Sequence, residues 1–95
     1  MSNQSDMTQK AKAQLDKWDA QIAKAEAEMK EVEADSKVEL QTRLEEMRVA
    51  REEASQRLSK LQSASADAWG DMSQGFMDAW GKIERSFEKA SERFS

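Results

Sequence analysis

The sequence predicts an all-α, oligomeric protein: one long coiled-coil helix, then a shorter amphipathic helix that turns back on it as a helical hairpin. Three observations carry this. The 95 residues include no Pro and only three Gly, and 36% of them are charged. Abundant helix formers without Pro favour long helices, and the few Val, Ile and Thr never alternate as strands require. Apolar residues recur at steps of three and four through most of the chain. Finally, one phrase is written twice, in residues 66–76 and 77–87: Asp, Ala, Trp, Gly and Phe recur at an offset of eleven.

Residues 1–5 read as a frayed tail. Ser5 or Asp6 can cap a helix, with Asp6, Met7, Thr8 and Gln9 resembling a capping box. A long helix is then expected over 6–62. Its stripe runs Met7, Ala11, Leu15, Trp18, Ile22, Ala25, Met29 and Val32, with 3-4-3-4-3 spacing from Leu15 onward. The stripe thins at Ala34, Asp35 and Ser36, a weak candidate for a break. It resumes at Leu40, Leu44, Met47, Ala54, Leu58 and Leu61, with Arg51 at a stripe position. The 4-4-3 spacing at Ser36, Leu40, Leu44 and Met47 is an eleven-residue step, which relaxes left-handed supercoiling. On the outer face, Glu26 with Lys30, Glu33 with Lys37, Glu39 with Arg43, and Glu53 with Arg57 are Glu-first i,i+4 pairs.

Small and cap-forming residues cluster at 63–67, the predicted turn, where Ser65 or Asp67 can cap the next helix. The second helix is expected over 67–94. Eleven residues make almost three helical turns, so each copy of the repeat lands near the azimuth of the other. On a helical wheel Trp69, Met72, Trp80, Ile83, Phe87, Ala90 and Phe94 fall within about 40° of Phe76. This is the predicted aromatic stripe. Gly70, Gly75 and Gly81 lie off it and lower helicity by about 0.8–1.0 kcal/mol each relative to Ala. A segment of this kind is a poor helix alone and a good one once its face is buried.

A returning helix of about 42 Å covers only the second half of a 57-residue partner. Leu15, Trp18, Ile22, Met29 and Val32 would then stay bare, and a bare heptad seam needs a partner. The sequence therefore predicts self-association, as a dimer or larger homo-oligomer, through those residues and Leu40, Leu44, Met47, Leu58 and Leu61. The expected role is a non-catalytic helical interaction or scaffold protein. Two other readings compete with it. One is an amphipathic helix lying on a membrane or other lipid surface, suited by Trp and by Lys82, Arg85, Lys89 and Arg93, although the first repeat unit is acidic. The other is an unbroken helix of about 140 Å serving as a filament subunit.

Little chemistry is expected. With no Cys there is no disulfide, thiolate metal site or Cys nucleophile, and with no His the commonest general base is missing. No catalytic, cofactor-binding or metal site is predicted, and no small-molecule substrate. A net charge of −4 with both signs interleaved argues against nucleic acid as a partner. The polar N-terminus lacks an apolar signal core, so the expected location is cytoplasmic, with a membrane-peripheral position under the lipid reading.

The chain also resembles a group of short bacterial coiled-coil proteins. Three motifs carry the likeness: Leu-Glu-Glu-Met-Arg at 44–48, Lys-Leu-Gln-Ser-Ala-Ser at 60–65, and Asp-Ala-Trp followed by Ala-Trp eleven residues on. The likeness covers about residues 10–94 and implies a bacterial, stress-related setting with no catalytic residues. Ser-Ala-Asp stands at the joint where the resemblance implies Gly. More loosely, the tandem units resemble in periodicity the eleven-residue repeats of exchangeable apolipoproteins.

Overall fold

In the computed structural model the backbone is described from Asn3 to Phe94 and the side chains from Asp6 to Phe94. Three helices form: α1 (Asn3–Met29), α2 (Ala34–Gln62) and α3 (Trp69–Ser91), closed by a short 3₁₀ turn at Glu92–Phe94. No strand occurs among the described residues. The first helix begins at Asn3, ahead of the Asp6 start expected from its cap; the tail expectation for Met1 and Ser2 lies outside the described residues.

The long helix expected over 6–62 is two helices. The chain leaves α1 at residues 30–33 and restarts in α2, just ahead of Ala34, Asp35 and Ser36. Glu33 breaks the path, with φ −72° and an extended ψ of 158°. Local propensity does not call for this break, because Lys30, Glu31 and Glu33 are good helix formers. Its reason is tertiary: bending there lets the α1 stripe be covered by the chain's own α2 and α3.

The three helices run up, down and up. Asp19 and Glu26 of α1 face Arg51 and Arg48 of α2, and Glu39 of α2 faces Arg93 beyond α3, so numbers rise on one helix as they fall on its neighbour. α2 packs against both α1 and α3. α1 reaches α3 through Trp18, whose ring stacks on Phe87 at 4.8 Å and on Trp80 at 5.5 Å. The result is a rod of 53 × 17 × 17 Å. A single helix of about 140 Å is therefore not the form this chain takes.

The core shows where the seam residues go within one chain. Leu15, Trp18 and Met29 are buried, and Ile22 packs against them; Leu44, Met47, Leu58 and Leu61 are buried, with Leu40 beside them. Val32 is half-buried at the bend. The residues expected to wait for another copy thus pack within one chain. Ala11, Ala25, Ala50 and Ala54 are also buried, at points where small side chains let the helices approach.

The ion pairs are also arranged differently from expectation. None of the four anticipated i,i+4 pairs is formed among the described residues. Glu26 reaches across to Arg48, Glu39 across to Arg93, and Arg43 pairs with Glu46. Arg51 sits on the apolar stripe because its guanidinium forks onto Asp19 of α1, Nε to Oδ1 at 2.8 Å and NH2 to Oδ2 at 3.1 Å. Its stem covers core while its head stays at the surface.

The turn at 63–68 is held by side chains. The Ser63 hydroxyl donates to the Lys60 carbonyl at 3.0 Å. The Ala68 N–H donates to the Ser65 hydroxyl at 3.3 Å and to the Ser65 carbonyl at 3.1 Å. Ser65 thus holds the turn ahead of α3; the N-cap of α3 is Ala68, with no side-chain cap, so the cap expected from Ser65 or Asp67 is not formed.

Candidate interaction groove

The aromatic stripe of α3 divides into two unequal halves. Ile83, Phe87, Ala90 and Phe94 are buried, with Phe87 at 1% exposure. Over the first half, Phe76 is buried, Trp69 and Trp80 are half-buried, and Met72 is 37% exposed. Met77, just off the stripe, is 60% exposed. The cause lies on α1. Trp18 stacks on Phe87 and on Trp80, whereas around the rest of the first half α1 offers Met7, Ala11 and Gln14. One methyl group and two flexible chains leave Trp69 and Trp80 half-buried.

A groove of about 580 Å³ results between the first halves of α1 and α3. Met7, Ala11, Trp69, Phe76, Met77 and Trp80 form its floor and walls, and Phe76 packs on Trp80 with ring centroids 5.0 Å apart. Asp6, Lys10 and Glu84 stand at the rim. That volume lies in the range of ligand-binding clefts, which are mostly apolar with few polar groups. Here the polar groups ring the opening and do not converge on a point inside it.

Other arrangements that carry chemistry are sparse. Among the described residues no three Asp or Glu side chains lie close enough to hold a metal ion. No described helix is long and apolar enough to cross a membrane.

Of the sequence-predicted residues, the structure brings Trp69, Phe76 and Trp80 into the groove, leaves Met72 at the outer surface, and commits Ile83, Phe87 and Phe94 to the core. The periodicity did not mark Met77 or Met7 as neighbours of the stripe. The run of small and polar residues around Ala11 is the one sequence signal that this end of α1 covers its neighbour poorly. Compared with known proteins, the chain matches no family model, no curated protein and no solved structure.

Proposed function

We propose that the protein is a non-catalytic helical interaction module that receives an apolar helical segment of a partner protein in the α1–α3 groove. The observation that carries this reading is the half-covered pair Trp69 and Trp80 with the exposed Met77 beside them. Trp anchors tend to dominate binding energy, and Met adapts its shape to irregular partners. An amphipathic helix fits such a groove with apolar anchors at i, i+3 or i+4, and i+7. Asp6 and Glu84 outnumber Lys10 at the rim and favour a partner segment with basic flanks.

The test uses indole N–H signals in proton–nitrogen spectra of the whole protein. Basic, neutral and acidic amphipathic peptides are titrated in turn. The expected result is movement of the Trp69 and Trp80 signals with the basic peptide, an unmoved Trp18 signal, and loss of the effect in Met77→Asp. Equal, weak movement of all three signals with every peptide would count against the groove.

A second reading, a helix that lies on a lipid surface, is favoured by one observation. The outer face of α3 over residues 70–81 carries Gly, Ser, Gln and two Asp, with Met72 and Met77 exposed and no cation, while the inner face is bulky and apolar. Such a helix suits loosely packed, uncharged lipid. Vesicles of zwitterionic and of anionic lipid, added to the same sample, distinguish it: blue-shifted Trp emission with zwitterionic vesicles alone supports the lipid reading over the peptide one. The bacterial, stress-related setting rests on the resemblance carried by the motifs at 44–48 and 60–65 and the repeated Ala-Trp of 68–69 and 79–80.

A further inference from the structure

We propose that residues 30–33 form a helix-competent hinge, and that its partner is a second copy of this chain: α1 swings out, fuses with α2 into one straight helix, and packs on the α2 and α3 of the neighbour. Four observations converge on this, and none depends on the groove.

The hinge has no breaker. Lys30, Glu31, Val32 and Glu33 include neither Gly nor Pro, whereas a helix that must end commonly does so on a left-handed Gly. Among the described residues none has a positive φ, so no left-handed residue holds the turn. The Lys30 and Glu31 N–H groups already bond three residues back, to Ala27 at 3.3 Å and Glu28 at 3.0 Å. The extended ψ of Glu33 is the principal departure, and no side chain caps it.

The second turn behaves differently. At 63–68 the hydroxyls of Ser63 and Ser65 bond to backbone groups and fix the bend. No side-chain hydrogen bond of that kind holds residues 30–33 among the described ones. Opening is therefore expected at the first turn and not at the second.

The apolar phase also runs through the hinge. Met29, Val32, Ser36 and Leu40 follow at steps of 3, 4 and 4. Met29 and Leu40 are eleven residues apart, which returns a straight helix to within about 20° of its starting azimuth. A bend has no need of this continuity, and a fused helix requires it.

Finally, exchange conserves what α1 makes. Trp18 on Phe87 and Trp80, and Asp19 on Arg51, can each form between copies as they form within one. Exchange of an identical element between protomers is a low-cost route to a dimer for this reason. Straightening also gives Glu26 a second cation, Lys30, one turn ahead, and places Glu31 one turn before Asp35, a like-charge pair that opposes it. The balance sits at the hinge, where single substitutions can move it.

Because the chain has no Cys, spin labels can be placed cleanly at two exposed sites, Lys12→Cys in α1 and Lys60→Cys in α2. A trace of doubly labelled chain is refolded with excess unlabelled chain at high concentration, and monomer and dimer are separated. The monomer is expected to give a short distance, and the dimer one near 72 Å, the span of 48 helical residues. Glu33→Pro fits the bend, since φ is −72° there. It disfavours each straightened copy by roughly 100-fold and the dimer by about 10⁴-fold. Glu31→Ala with Val32→Ala is expected to raise dimerisation roughly tenfold. A dimer with only the short distance overturns the proposal. So does a monomer at every concentration in both the parent and the Ala variant, or a dimer indifferent to Glu33→Pro.

Discussion

Trp18→Ala tests the packing of α1 most directly. Trp18 is 2% exposed and lies between α1 and α3, its ring within 18° of parallel to both Phe87 and Trp80. Truncating a buried Trp to Ala costs about 3–5 kcal/mol, and each aromatic pair contributes about 0.5–1.5 kcal/mol beyond area burial. A chain of this length has a total stability of about 5–14 kcal/mol. The variant therefore loses between a quarter and nearly all of it. Urea unfolding followed by far-ultraviolet circular dichroism reads the loss. With a slope of about 2 kcal/mol/M, a 4 kcal/mol loss moves the midpoint by roughly 2 M. Trp18→Phe keeps a ring in the stack and is expected to recover more than half of the shift. A loss under about 1 kcal/mol in Trp18→Ala would mean that α1 does not seal the bundle.

Three further outcomes follow from the same geometry. Trp80→Ala is expected to cost about 1–3 kcal/mol, less than Trp18→Ala, because Trp80 is half-buried at the groove; the two urea midpoints compare them directly. Gly70→Ala and Gly75→Ala are each expected to add about 0.5–1 kcal/mol, since a Cβ at either position meets nothing within 4 Å and α3 gains helicity; thermal midpoints read this gain. A double-mutant cycle on Arg51 and Asp19, both partly exposed at 29% and 50%, is expected to give a coupling of about 0.2–1 kcal/mol that shrinks in high salt.

Much of this architecture is legible in the chain. The stripe positions of α1, from Met7 to Met29, are the residues the bundle covers, because three- and four-residue spacing constrains which face of a helix can be apolar. The break at 30–33 is not legible, and the reason is physical. Its residues are helix formers and the stripe continues in phase across them, so every local signal favours continuing. Only the burial of Trp18 against α3 favours the bend, and that contact joins residues some seventy positions apart. A straight α1 has no partner in its own chain, so the bend is what lets its seam be covered there. The groove was hidden for the same reason: its openness depends on which stretch of α1 lies over which stretch of α3.

The two eleven-residue units show how far sequence repetition can be trusted. They are nearly the same phrase, yet Phe87 is 1% exposed and Phe76 is 7%, while Ile83 is 4% and its counterpart Met72 is 37%. The difference comes from the neighbouring helix. α1 brings the Trp18 indole to Phe87 and Trp80 of the second unit, and Met7, Ala11 and Gln14 to the groove that Trp69 and Phe76 share with Met77 and Trp80. The later part of the second unit, Ile83 and Phe87, is thereby consumed in holding the bundle together, and those side chains are unavailable to a partner without unfolding it. Trp69 of the first unit and Trp80 of the second stay half-covered on a helix anchored by Ile83 and Phe87. Rigid anchoring beside partial exposure lowers the ordering cost of binding, because the aromatic anchors are already placed when a partner arrives. A mutation at Ile83 or Phe87 should therefore be read in stability, and one at Trp69 or Met77 in binding, although the sequence writes the two units alike.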